Sequence, residues 1–293
     1  MIGGARRPRE DGPEPVPPSH QGCAIDSVRV HLPAQCAGPR AELCDRHEDG
    51  HHLHHLVWRL GPGVRVCSSA VLGGGIGPRA WILNAQVPGG YPRLDPDRHL
   101  AEIAAAEGLS GPGAGLMTAA EVAAYTTGRD GGVTATVTTG LGVRGWAATP
   151  ETTAPESLAS QTAAPECATD EPATGETPTP ETPAPEPAAP GMEPRTPPRP
   201  GTVNIVVVLP VALSDAALVN AVATATEAKV QALLDAGLDC SGTPTDAVCV
   251  AAPEPGPDGG EPFAGPRSPW GARIARAVHA AVLAGARPAR GLS

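Results

Sequence analysis

A chain of 293 residues with 36 glycines and 36 prolines, but only one Phe, two Tyr and four Trp, must build its core from Val, Leu, Ile and Ala. So few aromatic rings exclude a base-stacking surface, and a formal charge of −10 with no Lys/Arg run excludes a polyanionic partner, so no nucleic acid is expected. No apolar run follows Arg6 and Arg7, and no segment reaches about 18 apolar residues, so a soluble cytoplasmic protein without a membrane partner is expected.

Residues 1–22, rich in Pro, Gly and charge without periodicity, read as a disordered leader. From Leu53 to Val71, two β-type runs flank Gly61-Pro62-Gly63 and are expected to form a hairpin. Gly73-Gly74-Gly75-Ile76-Gly77 breaks this pattern, and Trp81 to Val87 resumes it as a strand. Asp95-Pro96 to Gly108 reads as a helix with an Asp cap, Pro in its first turn and a glycine stop. Thr118-Ala-Ala-Glu121 has the spacing of a capping box and is expected to open a second helix running to about Thr126. Val133, Ala135 and Val137 alternate with threonines as in a strand, and Trp146 closes this half.

Residues 149–200 are Thr, Pro, Glu and Ala with almost no large apolar side chain, and are expected to be a disordered acidic insertion. Val203 to Leu209 reads as a strand covered on both faces. Ser214-Asp215 opens a helix to Gly237, with Leu218, Val219, Val222, Val230, Leu233 and Leu234 expected on its inner stripe. Ala247 to Ala251 makes another buried strand, and Ser268-Pro269 starts a last helix facing inward through Ile274, Val278 and Val282. The expected fold class is α+β: a single mixed α/β domain with buried strands and flanking helices, its parts 23–148 and 201–293 separated by the insertion.

Seven cysteines, Cys23, Cys36, Cys44, Cys67, Cys167, Cys240 and Cys249, form no CxxC, which suits reduced thiols, with Cys67 and Cys249 in the core. His47, His51, His52, His54 and His55 cluster beside Gly50 without a matching carboxylate spacing, and no metal centre is expected from them. Neither a P-loop nor HExxH occurs. Gly73, Gly74 and Gly75 offer backbone amides to a ligand, or simply a tight turn. Asn84 and Gln86 share one strand face ahead of Tyr91, which suits an amide-rich substrate or an ordinary polar strand edge. Thr118 offers a hydroxyl at a helix start, either for catalysis or as a cap. Thr243, Thr245 and Asp246 crowd a turn ahead of a buried strand, for function or for turn bonding.

Ser68-Ser-Ala-Val-Leu-Gly-Gly-Gly75, Asn84-Ala-Gln-Val-Pro88, Asp95-Pro-Asp-Arg-His-Leu100, Gly115-Leu-Met-Thr-Ala-Ala120, Asp130-Gly-Gly-Val133, Thr139-Gly-Leu-Gly142, Gly201-Thr-Val-Asn-Ile-Val206, Leu213-Ser-Asp-Ala-Ala217, Glu227-Ala-Lys229, Gly242-Thr-Pro-Thr-Asp246 and Gly265-Pro-Arg-Ser268 stand in order over residues 53–285. In these blocks the chain resembles the adenosylcobinamide amidohydrolase (CbiZ) family. The resemblance implies hydrolysis of the amide joining cobyric acid to aminopropanol, with the adenosylated corrinoid as substrate and no cofactor. Amide hydrolysis needs a nucleophile, a proton shuttle and a stabilised oxyanion. Expected in these roles are Thr118 or a bound water as nucleophile, Asp246 or Asp130 as base, and Asn84 with the Gly73–Gly75 amides polarising the carbonyl; Gln86, Tyr91, Thr243 and Thr245 are expected to bind substrate. Thr118 after Gly-Leu-Met also loosely resembles self-cleaving amidohydrolases. A non-catalytic corrinoid carrier is the alternative, although Asp97-Arg98-His99 continues as Leu-Ala-Glu without the glycine of D-x-H-x-x-G. A phosphorylating cobinamide enzyme would need the missing P-loop.

Overall fold

The computed structural model describes residues 26–30, 38–149, 201–257 and 259–287. The leader over 1–22 and residues 150–200 of the insertion lie outside them. One sheet has the order β1 (Asp26–Val30), β2 (Ala41–Glu48), β3 (His51–Arg59), β6 (Trp81–Gln86), β7 (Gly113–Thr118). The other has the order β5 (Gly75–Pro78), β4 (Val64–Ser68), β11 (Ala247–Pro253), β10 (Val203–Val208), β9 (Val133–Thr139), β8 (Thr126–Asp130). Among the described residues the α-helices are α1 (Pro96–Ala106), α2 (Asp215–Asp235) and α3 (Pro269–Ala286).

The buried side chains sort into three cores, which define four layers and an α+β fold. Leu56, Trp58, Ile82 and Leu116 of the first sheet pack against Val66, Val206, Val208 and Cys249 of the second. Val57, Leu83 and Ala85, pointing the other way by strand alternation, pack on Leu100, Ile103 and Ala104 of α1. Val133, Val137, Ile205, Val207 and Val250 meet Leu218 and Leu233 of α2 and Ile274, Val278 and Val282 of α3. Helix α3 lies directly on β8, where a Cβ on Gly128 would stand 1.9 Å from the Ala277 carbonyl oxygen. Ser214 and Ser268 cap α2 and α3, accepting from Ala217 N and Gly271 N.

Several local expectations are corrected. The strands either side of Gly61-Pro62-Gly63 do not pair: β3 joins β2 and β6, while β4 joins β11 and β5. Both strands bury apolar residues between the sheets, so the link carries the chain from one sheet to the other. The real hairpin is β2–β3, closed by Asp49 and Gly50, both at positive φ, and the histidine cluster lies on it. No α-helix begins at Thr118, which ends β7; its Oγ1 accepts from Ala120 N in a side-chain turn, and only a 3-10 turn (Val122–Ala124) follows. Asp95 stands at the N-cap of α1, but its carboxylate pairs with Arg93 instead of capping. The inner stripe of α2 is mostly alanine, with Ala217, Leu218, Ala221, Ala225, Ala228, Ala232 and Leu233 buried, while Val219 and Leu234 are exposed. Small residues let this helix serve both the sheet and α3.

Candidate functional site

At one end of the sandwich the C-terminal ends of β6, β7 and β9 meet the N-terminal ends of β10 and β11. The register aligns Gln86 with Thr118, Thr139 with Val203, and Asn204 with Ala247. A buried polar chain ties the sheets together there. Asn84 Nδ2 donates to Thr138 Oγ1 at 3.0 Å, and Asn204 Nδ2 donates to Asn84 Oδ1 at 2.8 Å and to the Met117 carbonyl at 3.0 Å. Inside a low-dielectric core such a network holds one geometry only while its members stay paired.

Asp246 is the hub beside it. Oδ1 accepts from Val203 N at 2.8 Å and Thr243 Oγ1 at 2.6 Å, and Oδ2 accepts from Thr243 N at 3.1 Å and Lys229 Nζ at 2.5 Å. The Lys229 and Asp246 side chains are 9% and 11% exposed. Gly242 makes room for them: its φ is +147°, and an added Cβ would stand 2.1 Å from Asp246 Oδ2 and 2.5 Å from Lys229 Nζ. The hydroxyls of Thr202 and Thr245 share a bond of 2.7 Å alongside. A carboxylate with four donors has its acceptor sites filled, so Asp246 holds a cation and a hydroxyl in place and has no lone pair left over for a base. Thr245 is exposed and Thr243 half-buried at the edge of this hub, with Lys229 and Thr202 buried beneath them.

The structure brings Asn84, Thr118, Thr243, Thr245 and Asp246 together at this end. Gln86 lies there too, but its Oε1 accepts from Val122 N at 3.2 Å and His54 N at 3.4 Å, docking the 3-10 turn. Asp130 is elsewhere: it pairs opposite Val133, at the far end of β9 from Thr139, and Arg276 grips both its oxygens. That guanidinium holds the Asp130 carboxyl below its ordinary value. Gly73 packs where β7 begins, a Cβ on it standing 1.9 Å from the Gly113 carbonyl oxygen, while Gly74 lies against the Ala70 and Ser68 carbonyls and Gly75 pairs with Ser68, itself opposite Cys249 near the start of β11.

Tyr91 belongs to a second cluster, on the α1 side of the first sheet. Its hydroxyl lies 2.9 Å from His99 Nδ1, His99 Nε2 lies 2.5 Å from Glu48 Oε1, and Arg46 Nε donates to Glu48 Oε2 at 2.9 Å. Arg46 also donates to the Gln86 carbonyl at 2.6 Å, which links the two clusters. Burial pushes the Glu48 carboxyl up, but His99 and Arg46 outweigh it and leave the group below its ordinary value; burial pushes the Tyr91 phenol up.

Lys229, Asn204, Thr202, Glu48 and Arg46 are not among the site residues expected from the sequence, although Lys229, Thr202 and Asn204 lie in the blocks that carry the family resemblance. Lys229 sits on the inner face of α2 among alanines, and a lysine at a stripe position was the signal available. His99 shares the inward face of α1 with Leu100 and Ile103, which marks it as buried.

A family model described as adenosylcobinamide amidohydrolase matches residues 40–293. An adenosylcobinamide amidohydrolase of Methanosarcina mazei is 42% identical over 92 residues, covering 29% of this chain and 46% of that protein. Another, of Halobacterium salinarum, is 47% identical over 85 residues, covering 29% of this chain and 36% of that protein. The chain thus aligns with less than half the length of these curated relatives.

Proposed function

The chain belongs to the adenosylcobinamide amidohydrolase family, and on that footing we propose that it hydrolyses the aminopropanol amide of adenosylcobinamide, releasing adenosylcobyric acid and 1-aminopropan-2-ol in corrinoid salvage for coenzyme B12 assembly. The observation that carries this reading is the family match over residues 40–293.

Water adds to the amide carbonyl carbon, the C–N bond breaks, and the departing nitrogen takes up the proton. Thr118 is 2% exposed and its oxygen closes a turn with Ala120 N, so water rather than this hydroxyl is the nucleophile. Lys229 Nζ, held by Asp246, supplies positive charge to the oxyanion of the tetrahedral intermediate. Thr202, Thr243 and Thr245 hydrogen-bond the amide and the propanol hydroxyl. Asn84 and Asn204 act as positioning residues, fixing both sheets beneath the hydroxyls. The adenosylated corrinoid is the substrate, and the step needs no nucleotide.

The setting is cytoplasmic on this reading. Among the described residues no helix is long and apolar enough to cross a membrane, and no disulfide joins Cys44, Cys67, Cys240 and Cys249, all buried. Turnover in oxygen-18 water tests the chemistry: one heavy oxygen enters the new carboxylate. Product carrying no label would overturn hydrolysis.

A further inference from the structure

We propose that Cys44, His55 and Glu107 form a binding site for a thiophilic divalent cation, zinc by their ligand chemistry, which ties β2 and β3 to the C-terminus of α1. The site lies on the α1 face of the first sheet and is separate from the Asp246 hub. Its argument does not depend on the amidohydrolase reading.

The strand register builds two of the ligands. Cys44 of β2 and His55 of β3 are direct cross-strand partners, so their side chains share a face. Glu107, the C-cap residue of α1, comes down on that face from the layer above. One ligand atom from each of the three lies within 4.8 Å of the other two, and all three residues are buried. Thiolate, imidazole and carboxylate together are a donor set that suits zinc and excludes magnesium or calcium, which take oxygen ligands.

A second observation points the same way. The His55 side chain is 0% exposed, and neither ring nitrogen completes a hydrogen bond among the described residues. Its Nε2 stands 3.0 Å from Glu107 Oε1, yet outside hydrogen-bond geometry. A buried imidazole left in this state costs free energy. A cation shared by the three gathered ligand atoms would take up the imidazole lone pair that the protein leaves unused.

The surface histidines of the β2–β3 hairpin do not substitute for this site. His47 and His52 stack at 4.7 Å and are exposed, with His52 bonded to Asp45 at 2.9 Å. They bring no sulfur.

The test uses the full chain, purified without a metal-affinity step. Elemental analysis after zinc loading and desalting is expected to find one tightly held zinc per chain, lost in Cys44→Ala and His55→Ala and kept in Cys240→Ala and His52→Ala. Cobalt loaded in place of zinc is expected to give a thiolate-to-cobalt charge-transfer band that Cys44→Ala removes. Should a variant fail to fold, the wild-type chain decides alone: a chelator lowers its Tm, and zinc restores it. Less than a tenth of an equivalent of zinc in the wild type, or an undiminished cobalt band in Cys44→Ala, would overturn the proposal.

Discussion

Asn84 of β6 and Asn204 of β10 face each other across the two sheets, with 2.8 Å between Oδ1 and Nδ2. Replacing Asn84 by Ala removes the bonds to both Asn204 and Thr138 and leaves the buried Thr138 hydroxyl short of a donor. A loss of about 1–3 kcal/mol in stability is expected from the stranded polar groups, read by urea denaturation. Turnover of the folded variant is expected to fall through kcat. Unchanged kcat with the fold intact would remove Asn84 from the site.

The two partners of the Lys229–Asp246 pair are expected to respond unequally. Asp246→Asn leaves a lysine that is 9% exposed without its counter-charge and should cost about 3 kcal/mol or more. Lys229→Met costs less, because Asp246 keeps three further donors, Val203 N, Thr243 N and Thr243 Oγ1. Both should lower kcat at least tenfold if the cation meets the oxyanion. Thermal denaturation ranks the stabilities, and steady-state kinetics reads the catalytic effect.

Gly242→Ala tests the same hub without altering its charges. The new methyl would overlap Asp246 Oδ2 and Lys229 Nζ at a φ of +147°, so Tm and activity should fall together. Gly61→Ala, with a positive φ but no atom within 4 Å of the added Cβ, is the control and should lose some stability while keeping its activity.

The Glu48–His99–Arg46 cluster predicts a pH dependence. Its folded-state value lies below the ordinary 4.5, so Glu48 contributes stability that is fully present above that value and is lost as pH falls through the depressed folded one. Urea titrations at a series of pH values from neutral to acid should show a steeper decline below pH 4.5 for the wild type than for Glu48→Gln. Parallel curves would show that the cluster carries no such linkage.

Cys249 should resist alkylation in the folded protein. Burial raises its thiol to about 12, outweighing the Ser68 Oγ contact at 2.7 Å that favours the thiolate, so little nucleophilic thiolate exists near neutrality. Peptide mapping after iodoacetamide treatment with and without denaturant checks this.

How much was legible follows from what each signal measures. Strand β11 is a continuous apolar run, β10 is one broken only by Asn204, and α3 carries Ile274, Val278 and Val282 at helical spacing after Ser-Pro, so their local pattern and tertiary environment agree. The Gly61-Pro62-Gly63 hairpin failed because a turn signal reports a reversal but not which sheet the next strand enters. Asp49-Gly50, the stronger hairpin signal, was hidden by the histidines around it. Thr118 misled because the spacing to Glu121 is shared by a capping box and by a side-chain turn followed by a 3-10 turn. At the site, the turn holding Thr243, Thr245 and Asp246 was visible as a crowded polar loop. Lys229 stands 17 residues before Asp246 and Asn204 is 120 residues from Asn84, and only tertiary packing brings each to its partner. The Tyr91–His99–Glu48 chain spans a loop, a helix and a strand and has no spacing of its own.

The most direct measurement is incubation of the purified chain with adenosylcobinamide, without nucleotide, followed by liquid chromatography and mass spectrometry of the corrinoids. Loss of aminopropanol to give adenosylcobyric acid is the predicted result. Adenosylcobinamide recovered unchanged and tightly held by the protein would contradict the account and identify a carrier instead.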